Sequence, residues 1–144
     1  MRHIASVEDV RALFASRGLR TTAQRLAVYE YLQEHPTHPT AATIYEDLSR
    51  RYPTMSRATV YNTVEVLTDL GLVQELDLGG GVHRYDGNPE FHVHLVCTAC
   101  GEIQDVEGDR ALDAATARVA ARVGFAVQER RLELLGVCRR CAAR

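Results

Sequence analysis

Apolar residues recur at helical spacing in four segments of the first half of the chain. Each segment follows a Ser or Thr that can act as an N-cap, and each stops at a glycine or at a turn that contains proline. This pattern predicts four amphipathic helices, each with one apolar face. They lie between residues 6 and 18, 21 and 35, 40 and 53, and 56 and 71.

Strand-like runs begin after the fourth helix. Val73–Leu78 and Val82–Asp86 flank Gly79–Gly81, and three glycines allow a tight turn at positive φ, so these runs predict a β-hairpin. A Gly-Asn-Pro hinge at 87–89 separates the hairpin from the remaining elements. Those elements are predicted strands at His92–Val96, Glu102–Val106 and Phe125–Gly136, and a helix at Leu112–Val123.

The first half combines three compact helices, a fourth helix with a polar exposed face, and a glycine-tipped hairpin. This arrangement predicts a winged helix-turn-helix, which is typical of DNA-binding domains. Similar helical domains also bind proteins, so the pattern leaves that alternative open. We place a winged-helix DNA-binding domain in residues 1–84 and a second, strand-rich domain in residues 85–144, with a hinge at about 86–91.

The composition is that of an ordinary globular protein. The 144 residues are 46% hydrophobic and 25% charged, and the net charge is −2, so any nucleic-acid surface must be local. No segment approaches the roughly 18 consecutive apolar residues of a membrane span, and the N-terminus lacks a signal-peptide core. We expect a cytoplasmic protein with no membrane partner.

Four cysteines form two CxxC pairs, Cys97/Cys100 and Cys138/Cys141. In a reducing compartment this spacing indicates metal or redox chemistry before disulfides. Two CxxC turns can complete a tetrahedral shell around one Zn²⁺, which would staple the end of the chain to an interior hairpin. A closed shell leaves no position for catalysis, so we expect a structural zinc. The alternatives are a dithiol redox pair or two disulfides.

Histidine and aspartate residues form a second group of candidate ligands. His92 and His94 alternate along a predicted strand and therefore face the same side. Asp86 precedes them, Asp105 lies on the predicted partner strand, and His38 lies in a proline-containing turn of the first domain. Imidazole and carboxylate ligands suit Fe²⁺, Mn²⁺ or Zn²⁺, and composition does not choose among these ions. The alternative is a solvated His-x-His face that binds no metal.

Five segments, taken together, resemble one known family over nearly the whole chain. They are Thr22–Arg25, His38–Ala41 with Ile44–Tyr45, Ala58–Asn62, His92-x-His94-x-x-Cys97-x-x-Cys100-Gly101, and Gly136–Cys141. Their order and spacing resemble the ferric uptake regulator family. The resemblance implies a homodimeric transcriptional repressor that binds an inverted-repeat operator in double-stranded DNA. It also implies a protein that is not an enzyme and takes no small organic substrate.

Within this family, the details are most similar to the peroxide-sensing branch. That branch binds its regulatory metal through three histidines and two aspartates, whereas iron-uptake regulators typically carry glutamate at the carboxylate positions. The matching residues are His38, Asp86, His92, His94 and Asp105. The resemblance implies that bound Fe²⁺ reacts with hydrogen peroxide and that a histidine ligand, His38 or His92, is oxidised. Bound Mn²⁺ is expected to support repression without sensing peroxide.

The resemblance also assigns DNA contacts. The matching positions are Arg20 near the minor groove and Tyr61 and Asn62 on the recognition helix. Arg57, at the N-terminus of that helix, can reach a phosphate, and Thr59 is a further candidate contact on the same helix. Many members of the family carry a third metal site, but here its positions hold residues that cannot replace such ligands. These residues are Phe91, Val93, Leu112 and Arg130, so we expect two metal ions per subunit.

The sequence therefore predicts an α+β chain. An N-terminal winged helix-turn-helix is followed by a small α/β dimerisation domain with a zinc-stapled sheet, and the function is metal-dependent repression with peroxide sensing. The first alternative is a manganese- or iron-responsive uptake regulator without peroxide chemistry. A distant alternative is a CxxC redox enzyme. His35 and His83 receive no assigned role.

Overall fold

The computed structural model describes residues 4–78 and 81–144. The chain divides into two compact units, Met1–Glu90 and Phe91–Arg144. Gly79 and Gly80 of the predicted glycine turn lie outside the described residues, while Gly81 has a φ of 75°, in the left-handed region that glycine tolerates. Among the helices of the described ranges, none has the length and apolar character that a bilayer span requires.

The four predicted helices of the first unit are confirmed. Each begins behind a residue whose side chain accepts a hydrogen bond from the backbone amide three positions later, which satisfies an otherwise unpaired N–H group. These N-caps are Ser6, Thr22, Thr40 and Ser56. The helices are α1 (Val7–Ser16), α2 (Ala23–Glu34), α3 (Ala41–Arg51) and α4 (Arg57–Asp69).

The core of the first unit lies between these helices. Phe14, Leu32, Ile44 and Leu67 are fully buried in one cluster, and each such side chain contributes about 1.5–3 kcal/mol on burial. Helix α4 buries one face through Val60 and its neighbours at helical spacing. Its opposite face is therefore left to solvent.

A short antiparallel hairpin completes the first unit. Strands β1 (Gln74–Asp77) and β2 (His83–Asp86) pair with Gln74 opposite Asp86. We call residues 74–86 the wing. Its addition to α2–α4 confirms the predicted winged-helix architecture, and it ends at the buried Asp86.

The second unit is a three-stranded mixed sheet with two helices. Strand β3 is central, antiparallel to β4 and parallel to β5. The elements are β3 (Val93–Cys97), β4 (Ile103–Val106), α5 (Arg110–Ala121), β5 (Leu132–Gly136) and α6 (Arg139–Ala142). The mixed helix-and-sheet fold class is as predicted.

The predicted long strand over Phe125–Gly136 is wrong, because β5 begins only at Leu132. Leu132 lies opposite Val93, the first residue of β3, so the preceding residues have no β3 residue to pair with. The short helix α6 was not predicted from the Cys-x-x-Cys spacing. It forms a single turn that begins directly after Cys138.

Candidate metal centres and nucleic-acid interface

The four cysteines converge at one end of the sheet in the second unit. Cys97 ends β3 and Cys100 lies in the turn toward β4, while Cys138 follows β5 and Cys141 lies on α6. Parallel pairing of β3 with β5 brings the two CxxC segments together, since Cys97 lies opposite Gly136. The first turn closes through a hydrogen bond from the Gly101 amide to the Cys97 carbonyl, at 2.8 Å.

The sulfur geometry suits one tetrahedral zinc ion. The four Sγ atoms all lie within 4.8 Å of one another, and Cys100 Sγ is 3.8 Å from Cys138 Sγ. Four Zn–S bonds of about 2.3 Å place tetrahedral sulfurs about 3.8 Å apart, whereas a disulfide requires about 2.05 Å. All four cysteines are free thiols. The arrangement therefore fits a structural Zn²⁺, and the separation of the Cys100 and Cys138 sulfurs is longer than a disulfide bond.

Hydrogen bonds around the sulfurs favour the thiolate form of Cys97. Hydrogen bonds from backbone amides, above all that of Cys138, lower the pKa of Cys97 to about 6. Arg140 donates to Glu102 at 2.9 Å and so lowers the pKa of that carboxyl group. The same hydrogen bond and the charge of Glu102, followed by the nearby Cys138 and Cys100, raise the pKa of Arg140. Arg140 is thus held by Glu102 beside the cysteine cluster, where its positive charge can offset that of the thiolates.

His92, His94 and Asp105 form a second group of donor atoms in the same unit. Nε2 of each histidine lies 3.4 Å from Oδ1 of Asp105, and the two rings meet edge to face with centroids 4.4 Å apart. Both imidazoles are buried, and Asp105 lies directly opposite His94 across the β3–β4 pair. This arrangement offers two ring nitrogens and a carboxylate oxygen from one sheet face, which suits a divalent first-row metal.

The first unit contributes a separate histidine–carboxylate pair. His38 Nε2 lies 3.4 Å from Asp86 Oδ2, and both side chains are almost fully buried. Asp86 Oδ1 accepts a hydrogen bond from the Asn88 amide at 2.8 Å, which orients the carboxylate. A metal-ligating carboxylate is ordinarily oriented by such a bond. Sequence reasoning missed Arg84, which contacts the backbone of His38 and lies two residues before Asp86 on the same strand face.

Four of the five predicted DNA-contact residues are exposed to solvent. Arg20, Arg57, Tyr61 and Asn62 are exposed, and Tyr61 retains 49% of its accessible surface despite its size. The Arg57 guanidinium lies 4.7 Å from the centre of the Tyr45 ring. Thr59 is half-buried, and its hydroxyl lies 3.0 Å from that of the N-cap Ser56. Thr59 therefore has a helix-capping contact that the sequence did not assign.

Two residues at the positions of the family's third metal site contact each other. Arg130 Cζ lies 4.0 Å from the centre of the Phe91 ring, and Arg130 Nη1 lies 2.6 Å from Asp113 Oδ1. A guanidinium in this position repels cations and donates hydrogen bonds only. Arg130 thus packs against Phe91 and forms an ion pair with Asp113.

Comparisons with known proteins agree with this architecture. The model of the family described as "Ferric uptake regulator family" matches residues 16–135. The chain is 38% identical over 135 residues to a protein of Staphylococcus epidermidis named "Peroxide-responsive repressor PerR", covering 94% of this chain and 89% of that protein.

Solved structures give the same result. The Campylobacter jejuni peroxide stress regulator has a TM-score of 0.73 at 28% identity, with 95% of this chain and 99% of that chain covered. The Helicobacter pylori ferric uptake regulator Fur has a TM-score of 0.85 at 20% identity, with 99% and 97% covered, and supports the fold. The chain therefore belongs to the ferric uptake regulator family, whose members are dimeric, metal-responsive, DNA-binding transcriptional regulators.

Proposed function

We propose that this chain is a homodimeric, metal-dependent repressor that senses peroxide. A structural Zn²⁺ is held by the four cysteines. A regulatory Fe²⁺ or Mn²⁺ is held by His38, Asp86, His92, His94 and Asp105. The observation that carries the proposal is the convergence of His92 and His94 on one carboxylate oxygen of Asp105. The 38% identity to a protein named a peroxide-responsive repressor supports the subtype.

The donor set supports a redox-active or manganese-type regulatory site. Three imidazole nitrogens and two carboxylates, without sulfur, suit Fe²⁺ and Mn²⁺. Both carboxylates come from aspartate, the residue that the resemblance associates with the peroxide-sensing branch. His38 and Asp86 belong to the first unit and the other three ligands to the second. A single ion held by all five couples metal binding to the DNA-binding unit.

Peroxide sensing by this site is a two-electron oxidation of a histidine ring. Bound Fe²⁺ supplies the activation of hydrogen peroxide. In the net reaction the O–O bond breaks, one oxygen atom enters a C–H bond of the His38 or His92 ring, and the other leaves as water. The ring loses two electrons to peroxide. The oxidised ring is a poorer ligand, so the metal and the operator are both released.

Dimerisation is supported by the apolar surface of the second unit. No residue of α5 is buried, and β5 forms an edge of the sheet. Val119, Leu134 and Leu135 are each more than half exposed. Exposed apolar side chains beside an edge strand favour association, and the family assignment makes a second copy of this chain the occupant. The zinc cluster then stabilises the dimerising sheet.

DNA recognition in this proposal uses the exposed face of α4. Tyr61 contacts thymine methyl groups in the major groove, Asn62 contributes to sequence preference, and Arg57 reaches a phosphate. Arg20 lies near the minor groove. Because α4 buries its apolar face, the exposed side chains on its other face can bind DNA without disturbing the core.

The experiment is anaerobic loading with Fe²⁺, addition of about one equivalent of hydrogen peroxide, and peptide mass spectrometry. We expect one added oxygen on His38 or His92 together with lost operator binding. A sample loaded with Mn²⁺ is the matched control and should keep unmodified histidines. Unmodified histidines in the iron sample, with metal-dependent DNA binding intact, would instead support a metal-uptake regulator.

A further inference from the structure

His38 has an unusual backbone conformation. Its φ is 54°, in the left-handed region, and it is the one non-glycine residue with positive φ among residues 4–78 and 81–144. This region is sterically unfavourable for any residue with a Cβ atom. In addition, Pro39 follows, and the residue before a proline ordinarily adopts an extended conformation. The conformation therefore requires contacts from outside the loop.

Strand β2 supplies those contacts. The Arg84 Nε donates to the His38 carbonyl oxygen, and the same guanidinium donates through Nη2 to the Thr37 carbonyl at 3.4 Å. The Tyr85 amide donates to the Pro39 carbonyl at 3.0 Å. One side chain and one backbone group of β2 thus hold three consecutive carbonyls. A planar guanidinium can bridge two neighbouring acceptors, which an ammonium group cannot match.

We propose that Arg84 is a positioning residue for the regulatory metal, because it holds His38 in the conformation that presents its imidazole beside Asp86. This inference rests on the proposed function, which makes His38 a ligand. The role of Arg84 is indirect, since its Nε and Nη2 atoms donate to backbone carbonyls and a guanidinium, which has no acceptor, is not a metal ligand. Asp86 is two residues along the same strand, so β2 carries one ligand and positions another.

The contacts separate this role from that of a wing residue that binds DNA. Arg84 is half-buried, and its guanidinium is directed into the 37–38 loop rather than to solvent. The neighbouring His83 is exposed and pairs with Glu75 across the hairpin at 3.1 Å. His83 therefore provides a matched control on the same strand, because its contact is with Glu75 of β1 and not with the 37–39 loop.

The test measures Mn²⁺ affinity by isothermal titration calorimetry on the zinc-loaded, full-length protein in the absence of DNA. Variants are Arg84→Gln, Arg84→Lys, His83→Ala and His38→Ala. We expect Arg84→Gln to weaken Mn²⁺ binding by about 10-fold or more, as is typical when a residue that orients a metal ligand is lost. Arg84→Lys should have an Mn²⁺ affinity between those of the wild type and Arg84→Gln, since an ammonium group replaces only part of the hydrogen bonding of the planar guanidinium. His83→Ala should bind as the wild type does.

The outcomes distinguish this inference from the proposed function. If His38→Ala binds Mn²⁺ as tightly as the wild type, His38 is not a ligand and the proposed function fails. If His38→Ala is weak but Arg84→Gln is unchanged, the positioning role alone is overturned. A thermal midpoint lowered in Arg84→Gln without any change in Mn²⁺ affinity also overturns it, as that result indicates a structural role only. If Arg84→Gln does not fold, Arg84→Lys decides: weakened affinity supports the role and unchanged affinity overturns it.

Discussion

His94 of β3 lies directly opposite Asp105 of β4, and its Nε2 atom is 3.4 Å from the Asp105 carboxylate. His92, two residues earlier, approaches the same oxygen at the same distance. Strand pairing places the carboxylate beside His94, and His92, which directly precedes β3, approaches it from the same side. Asp105 therefore contacts both histidines, and its replacement tests the regulatory site directly.

Asp105→Asn should weaken Mn²⁺ binding by about 10- to 100-fold while zinc content stays unchanged, because it removes the negative charge between the two imidazoles. Titration with Mn²⁺ and elemental analysis for zinc measure both quantities. Asp113→Asn makes the same chemical change at an exposed position and should leave Mn²⁺ affinity unaltered. Wild-type affinity in Asp105→Asn would remove Asp105 from the ligand set.

Cys97→Ser should abolish zinc binding and with it the folded sheet of the second unit. The free energy of structural zinc binding is also folding free energy, so the dimer should dissociate as well. Zinc analysis and light scattering test this. Thr98→Ala changes the neighbouring residue, whose hydroxyl donates to the Gly136 carbonyl, and should keep both zinc and dimer. A folded, zinc-free Cys97→Ser dimer would contradict the structural role.

Gly87→Ala should destabilise the first unit by about 1–3 kcal/mol. A Cβ atom at this position would lie 2.3 Å from the Leu32 carbonyl oxygen, a backbone atom that cannot move aside cheaply. Urea unfolding measures the loss. Gly136→Ala is the matched control, because a Cβ there meets nothing within 4 Å and should cost less than about 0.5 kcal/mol. Equal stability of the two variants would mean that the backbone at Gly87 moves away from Leu32 without a loss in the free energy of unfolding.

Tyr31 makes stability sensitive to alkaline pH. Burial, and then a 2.5 Å hydrogen bond to Asp47, raise its pKa well above the ordinary value of about 10. The unfolded chain then releases the phenolic proton at lower pH than the folded chain, so the free energy of unfolding falls as pH rises above about 10. Tyr31→Phe should make this decline shallower in urea titrations at successive pH values. If the free energy of unfolding declines equally steeply with pH in the variant, groups other than Tyr31 cause the loss of stability at alkaline pH.

Tyr85 provides the internal comparison for that experiment. Burial and the nearby Glu75 raise the pKa of Tyr85 to about 12, so it contributes an alkaline decline of the same sign in both proteins. At neutral pH, Tyr31→Phe should cost about 1–3 kcal/mol through the lost hydrogen bond to a carboxylate. The two effects are separable because one depends on pH and the other does not.

Tyr61→Ala should weaken operator binding with little effect on stability. The side chain is half exposed, so its removal costs little core packing, whereas loss of a base contact costs about 1–3 kcal/mol of binding free energy. Fluorescence anisotropy on DNA selected by the wild type measures this at fixed salt concentration. Tyr52→Ala, outside α4, is the comparison for DNA affinity. Unchanged affinity in Tyr61→Ala would remove this residue from the interface.

Local sequence determined the four helices and the zinc cysteines. An N-cap such as Thr40 bonds an amide only three residues away, so the interaction is visible in the sequence itself. The thiols of a CxxC pair likewise belong to one turn. The spacing of His92 and His94, two residues apart, likewise predicted that both side chains lie on one side, because alternate residues of an extended segment face the same way.

Contacts distant in sequence decided the remaining features. The start of β5 at Leu132 coincides with the start of its partner β3 at Val93, which lies 39 residues away in the sequence. Local rules favour an extended His38 before Pro39, yet Arg84, 46 residues away, holds it in the left-handed region. The sequence by itself determined most of the elements and the chemical types of the candidate ligands. Tertiary structure decided their ends and orientations, because those depend on hydrogen bonds and steric contacts that form only when distant segments meet.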